Sequence, residues 1–123
     1  MKNKMTIINA DFNEIEKKLL ISAGEEFSIS ELKPMEQMLV DSDNLSFIYI
    51  TDRNDEYTYV AIPDTFWPEV KKAHEMNAPV YLINRMEQLL LPGFNDELSY
   101  LIENIKGNSN YGEEMVKKVE STF

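Results

Sequence analysis

Three kinds of residue in this chain could do chemistry: carboxylates, one histidine and a set of tyrosines. Cysteine is absent. Disulfides, thiolate catalysis and Cys-ligated zinc are therefore excluded. Asp41-Ser42-Asp43-Asn44 puts oxygen-bearing side chains in a row, which raises calcium binding. An EF-hand loop needs glycine at its sixth position and a bidentate glutamate at its twelfth. Counted from Asp41, those positions hold Ser46 and Asp52. The cluster reads instead as a turn whose side chains bond to nearby amides. His74 is the only histidine, so a His–His metal pair within the chain is incomplete. With a carboxylate it could form an acid–base pair. Its expected place near a helix C-terminus equally suits a positive charge with no catalytic role. The paired acids Glu25-Glu26, Asp96-Glu97 and Glu113-Glu114 do not converge, because adjacent helical residues point to different faces. The last two pairs fit the first turn of a helix, where they favour the dipole. No phosphate-binding loop, dinucleotide fingerprint or nucleophile elbow occurs. No catalytic, metal or cofactor-binding residue is assigned.

The tyrosines are more informative. Leu45–Thr51 and Glu56–Ile62 are rich in β-branched and aromatic residues and flank Asp52-Arg53-Asn54-Asp55. That pattern predicts an antiparallel hairpin. Phe47 and Tyr49 share one face of the first strand; Tyr57 and Tyr59 share one face of the second. One face of such a hairpin covers the core, and the other can be wet. Tyr49, Tyr57 and Tyr59 are thus a candidate interaction surface, with ordinary core packing as the alternative. Asn108, Asn110 and Tyr111 form a candidate recognition loop; helix capping is the competing explanation.

The elements that must position these residues follow from periodicity. Residues 5–12 alternate as a strand, and Lys18–Ser22 predicts a second. Phe27 and Ile29, among serines, suggest a short third. Leu32, Met35 and Leu39 fall at helical spacing, with Ser30 as cap and Pro34 in the first turn. After the hairpin, Pro63-Asp64-Thr65 opens a helix running to about Met76. Asn77 suits its left-handed C-terminus, and Pro79 stops it. Strands are expected at Val80–Ile83 and Met86–Leu91. Leu98, Leu101, Ile102 and Ile105 mark a helix with Asn95 as N-cap and Gly107 beyond its end. Asn110 with Glu113 resembles a capping box before a final helix through Met115, Val116, Val119 and Phe123. Short connections favour antiparallel pairing. The expected fold is α+β: one domain over 1–123, mainly antiparallel sheet with helices on one face and a C-terminal helical hairpin.

Net charge is −10 and pI about 4.5. Such a surface repels phosphate backbones and anionic lipid, so neither nucleic acid nor membrane is an expected partner. The apolar stretch Met5–Ile8 stops at Asn9 and Asp11, no run approaches a membrane span, and cytoplasmic residence is the expectation.

Two stretches carry a family resemblance. One is Gln37-Met38-Leu39-Val40-Asp41-Ser42-Asp43-Asn44 ahead of the aromatic hairpin. The other runs from Glu97-Leu98-Ser99-Tyr100 through Asn108-Ser109-Asn110-Tyr111-Gly112. Together they resemble the YjbL-like uncharacterised family of Bacillus, Staphylococcus and their relatives. The resemblance implies a cytoplasmic protein of the Firmicutes and supplies no functional residue. Three functions stay open. The first is a non-enzymatic regulatory or adaptor domain that binds another protein. The second is a small-molecule-binding domain or carboxylate-based metal-dependent enzyme. The third is a structural homo-oligomer.

Overall fold

The computed structural model describes residues 3–123. The strands are β1 (Lys4–Thr6), β2 (Asn9–Asn13), β3 (Lys18–Ser22), β4 (Lys33–Asp41), β5 (Ser46–Arg53), β6 (Glu56–Pro63), β7 (Val80–Ile83) and β8 (Gln88–Leu90). The helices are α1 (Trp67–Met76), α2 (Phe94–Ile105) and α3 (Glu113–Thr122). The class is α+β, as expected, but the single antiparallel sheet is not found. The strands form two mixed four-stranded sheets, ordered β1-β6-β5-β4 and β2-β3-β7-β8. β1 runs parallel to β6 and β3 parallel to β7; every other pairing is antiparallel. Parallel partners need long connections, so neighbour-to-neighbour reasoning missed both.

The strand expected over 5–12 divides because it serves both sheets. The Ile7 amide donates to Ala61 O in the first sheet (3.0 Å), and the Ile8 amide donates to Ser22 O in the second (2.8 Å). The helix expected over Leu32–Leu39 is instead β4. A bulge between Pro34 and Met38, with Glu36 at φ 55°, breaks the strand alternation and imitates helical spacing. Pairing decides the outcome. Ser46 to Thr51 of β5 are all buried, so their backbone groups need partners on both sides. β4 supplies the second ladder, and Pro34 is tolerated because β4 is an edge strand. Phe27 and Ile29 lie in a loop rather than a strand. Ile29 is buried there, and its amide donates to Glu87 Oε1 (3.1 Å).

One main core joins the layers. α1 packs on β2 and β3, and α2 on β4. Phe47 stacks on Trp67 (centroids 4.6 Å), whose indole N–H donates to Ile62 O (3.0 Å). Phe123, just after α3, meets both rings. α1 ends at Asn77 (φ 50°), as expected. α2 does not start from Asn95: its cap is Gly93, whose φ of 73° favours glycine. Asn95 instead donates to Ala78 O (2.7 Å). Gly112 precedes α3 without a side-chain cap, so the Asn110–Glu113 box is not formed. Among the described residues, no helix is long and apolar enough to cross a membrane.

Both long edges are blunted by helix carboxylates. The Phe12 amide of β2 donates to Glu69 Oε2 of α1 (3.2 Å), and the Met38 amide of β4 donates to Glu97 Oε1 of α2 (3.2 Å). A hydrogen bond to a charged group contributes about 1.5–3 kcal/mol. Glu97→Ala is expected to cost about 1–2 kcal/mol in urea unfolding, with Glu97→Gln costing less because its amide oxygen still accepts. Equal stability of Glu97→Ala and the wild type would show that the bond holds nothing.

Candidate functional site

The hairpin sheet has two unlike faces. Asn54 and Asp55 both have positive φ (52° and 65°), the signature of a two-residue type I′ turn. That turn sets Arg53 opposite Glu56, Asp52 opposite Tyr57, Ile50 opposite Tyr59 and Tyr49 opposite Val60. Tyr49 therefore points away from Tyr57 and Tyr59, and the three do not form one surface. Tyr49 is fully buried beneath α2. Its ring stacks on Phe94 (6.0 Å), and its hydroxyl donates to Pro92 O (2.6 Å). Burial pushes its phenol up to about 12, helped by the nearby Glu36 and Glu97 carboxylates. Counting outward from a two-residue turn would have separated the tyrosines from sequence alone.

The second face holds Leu39, Ile48, Ala61 and Thr6 in one cross-strand row. Ile50, Tyr59 and Lys4 form the next, and Asp52 with Tyr57 a third. The helices pack on the opposite face, through Tyr49 and Phe47. Ile48, Ile50 and Ala61 are buried yet stand outside the main core cluster. They are the floor of a separate apolar strip. Its borders are open: Leu39 is 42% exposed and Tyr57 45%. Tyr57 and Tyr59 meet edge-to-face (6.1 Å, 80°).

An ion pair crosses this face. Lys4 Nζ lies 3.7 Å from Asp41 Oδ2, although β1 and β4 are opposite edges of the sheet. Flat, those edges would stand about 14 Å apart, three spacings of about 4.8 Å. Lys4 and Asp41 share the second face, so the pair is directed across β6 and β5 between the two edges. Asp41 is held independently of Lys4: Asn44 donates its side-chain amide to Oδ2 (2.9 Å) and its backbone amide to Oδ1 (3.4 Å). The Asn44 side chain, more than any other group, keeps the Asp41 carboxyl below its ordinary value. The turn reading of Asp41–Asn44 is the geometry present, and a recess of about 520 Å³ opens there between Lys4, Val40 and Asp41–Asn44.

The other candidates lie elsewhere. Asn108 Oδ1 accepts from the Asn110 amide (3.1 Å), and Asn108 Nδ2 donates to Asn104 O (3.2 Å). Tyr111 leans on the core, leaving Asn110 as the exposed member of that loop. His74 Nε2 meets Ser99 Oγ (2.8 Å), which pins α1 to α2, with Phe123 edge-on to the ring. Nothing in the sequence pattern pointed to that contact. Among the described residues, no group of three or more metal-ligating side chains gathers.

Residues 5–123 match a family described as "Family of unknown function (UPF0738)". The chain belongs to that family. The UPF0738 protein YjbL of Bacillus subtilis strain 168 is 43% identical over 123 residues, covering 100% of this chain and 99% of that protein. A UPF0738 protein of Geobacillus sp. strain WCH70 is 39% identical over 123 residues, covering 100% and 98%. One from Geobacillus kaustophilus is 46% identical over 95 residues, covering 77% and 76%. No solved structure matches. The YjbL-like resemblance carried by the two stretches is thus borne out for this UPF0738 chain.

Tyr49 gives a test of the two faces. A phenol raised by folding leaves stability intact below the unfolded value of 10.0 and removes it as pH rises through about 12. Alkaline unfolding is therefore expected over that window, with one tyrosine ionising late in ultraviolet titration. Tyr49→Phe should remove the late step and cost about 1 kcal/mol. Survival of the late step in that variant would assign it elsewhere.

Proposed function

We propose that this protein is a non-enzymatic adaptor or regulatory module of the cytoplasm. It binds a basic segment of another protein on the second face of its hairpin sheet. One observation carries the reading: an apolar floor of Ile48, Ile50 and Ala61, separate from the main core, is bordered by exposed Leu39 and the paired Tyr57 and Tyr59. Aromatic groups beside an apolar strip suit protein contacts, since they bring large area at small entropic cost. The rim sets the partner's charge. Asp41 and Asp52 stand on the same face, and Asp55 and Glu56 follow at the hairpin tip. With a net charge of −10, a basic partner is attracted, while a second copy, nucleic acid or anionic lipid is repelled.

The carboxylate-enzyme reading is weaker because several glutamates already serve the fold. Glu69, Glu87, Glu97 and Glu120 each accept a hydrogen bond from a backbone amide.

The test is a native-lysate pull-down with the wild type, Tyr57→Ala and Tyr59→Ala. Tyr57 is half exposed but pairs with Tyr59, so Tyr57→Ala is expected to cost about 1 kcal/mol and still fold. A basic protein enriched by the wild type and lost from both folded variants is the expected result. A partner that both variants retain would move the binding surface elsewhere.

A further inference from the structure

Ile48 and Ala61 have no exposed surface, yet the aromatic contacts of this sheet with α1 and α2 run through Phe47 and Tyr49 on its other face. Something on that face must shield them. The Lys4–Asp41 pair joins β1 to β4, the two edges that flank β6 and β5, from residues that share this face. The two ends of the pair are unequal. Asp41 accepts two hydrogen bonds from Asn44 besides the Lys4 contact, and its side chain is 15% exposed. Lys4 is a flexible side chain on a three-residue strand, 29% exposed. The separation of 3.7 Å exceeds the roughly 2.7–2.9 Å of a tight charge-assisted hydrogen bond. Partly exposed pairs of this kind contribute little to stability, so this one is easily exchanged.

We propose that Lys4 is an autoinhibitory clasp. Its stem and ammonium occupy, within the chain, the place that a partner's lysine or arginine takes over Ile48 and Ala61 and against Asp41. This rests on the protein-binding reading of the same face. The incoming side chain displaces the Lys4 ammonium from Asp41 and lays its own aliphatic stem on the floor. The recess beside Asp41 gives the displaced or incoming cation room. Asp41 is then the specificity-determining residue: a preformed anion that rewards a cation on an alkyl stem and nothing neutral.

Isoleucine-methyl NMR with a neutral, soluble paramagnetic relaxation agent reads the clasp directly. Ile21, in the main core, is the internal reference. In the wild type the Ile48 methyl should be as protected as that of Ile21. In Lys4→Ala its relaxation should rise several-fold while Ile21 stays unchanged. Lys4→Met keeps a stem without the charge and should fall between the two. Adding n-butylammonium to Lys4→Ala should restore protection, n-butanol should not, and Asp41→Asn on that background should abolish the rescue. An Ile48 methyl that stays protected in Lys4→Ala overturns the clasp, as does equal rescue by butanol. Should Lys4→Ala fail to fold, Lys4→Met and Asp41→Asn carry the same comparison. A clasp that opens and is rescued, with no basic partner captured by the wild type, would leave the clasp standing and count against the adaptor reading.

Discussion

A strand buried on both faces is the constraint that the rest of this structure answers. From Ser46 to Thr51, β5 exposes neither side chains nor backbone. Each buried amide and carbonyl must be paired, and each face must be covered. The hairpin partner β6 answers one edge and the irregular strand β4 the other. The main core covers the first face through Phe47 and Tyr49. Ile48, Ile50 and Ala61 of the second face are buried outside that core. That face carries Leu39, Tyr59 and the Lys4–Asp41 pair instead.

The acidity has a structural component as well. Four glutamates reach backbone amides of edge strands, loops and a helix end. Glu87 shows the pattern most fully: it accepts from Asn84 Nδ2 and from the Ile29 amide, and these bonds hold its carboxyl below the ordinary value. A carboxylate in that role blocks strand addition at an edge without adding a strand of its own. Part of the negative charge thus serves the fold, through Glu69, Glu87, Glu97 and Glu120.

What was legible in the sequence was local. The hairpin, α1 with its left-handed Asn77, β3, β7 and the two C-terminal helices follow from runs, periods and punctuation within a few residues of each other. β4 looks helical in the sequence because its bulge adds residues to the strand and converts a period of two into something nearer a helix. The parallel pairings were illegible because nothing near Lys4 announces Tyr59, and nothing near Leu19 announces Val80. The candidate site divides the same way. Tyr57 and Tyr59 were visible as neighbours, and Tyr49 could have been excluded by turn register. The Lys4–Asp41 contact depends on sheet order and register, which no window of sequence contains.

The Ile7–Ile8 junction has a consequence for how the chain is made. Two successive amides are committed to different sheets, one to Ala61 and the other to Ser22. Strand β1 therefore has no partner until residue 61 follows, about half a chain later. The second sheet is likewise incomplete until Val80–Ile83 appears beside β3. Such long loops must close before their contacts contribute anything, which slows assembly relative to a hairpin-built protein of the same size. Until β6 is made, Met5 and Ile7 have no sheet to bury them, and that interval is when the nascent chain most needs protection from its neighbours.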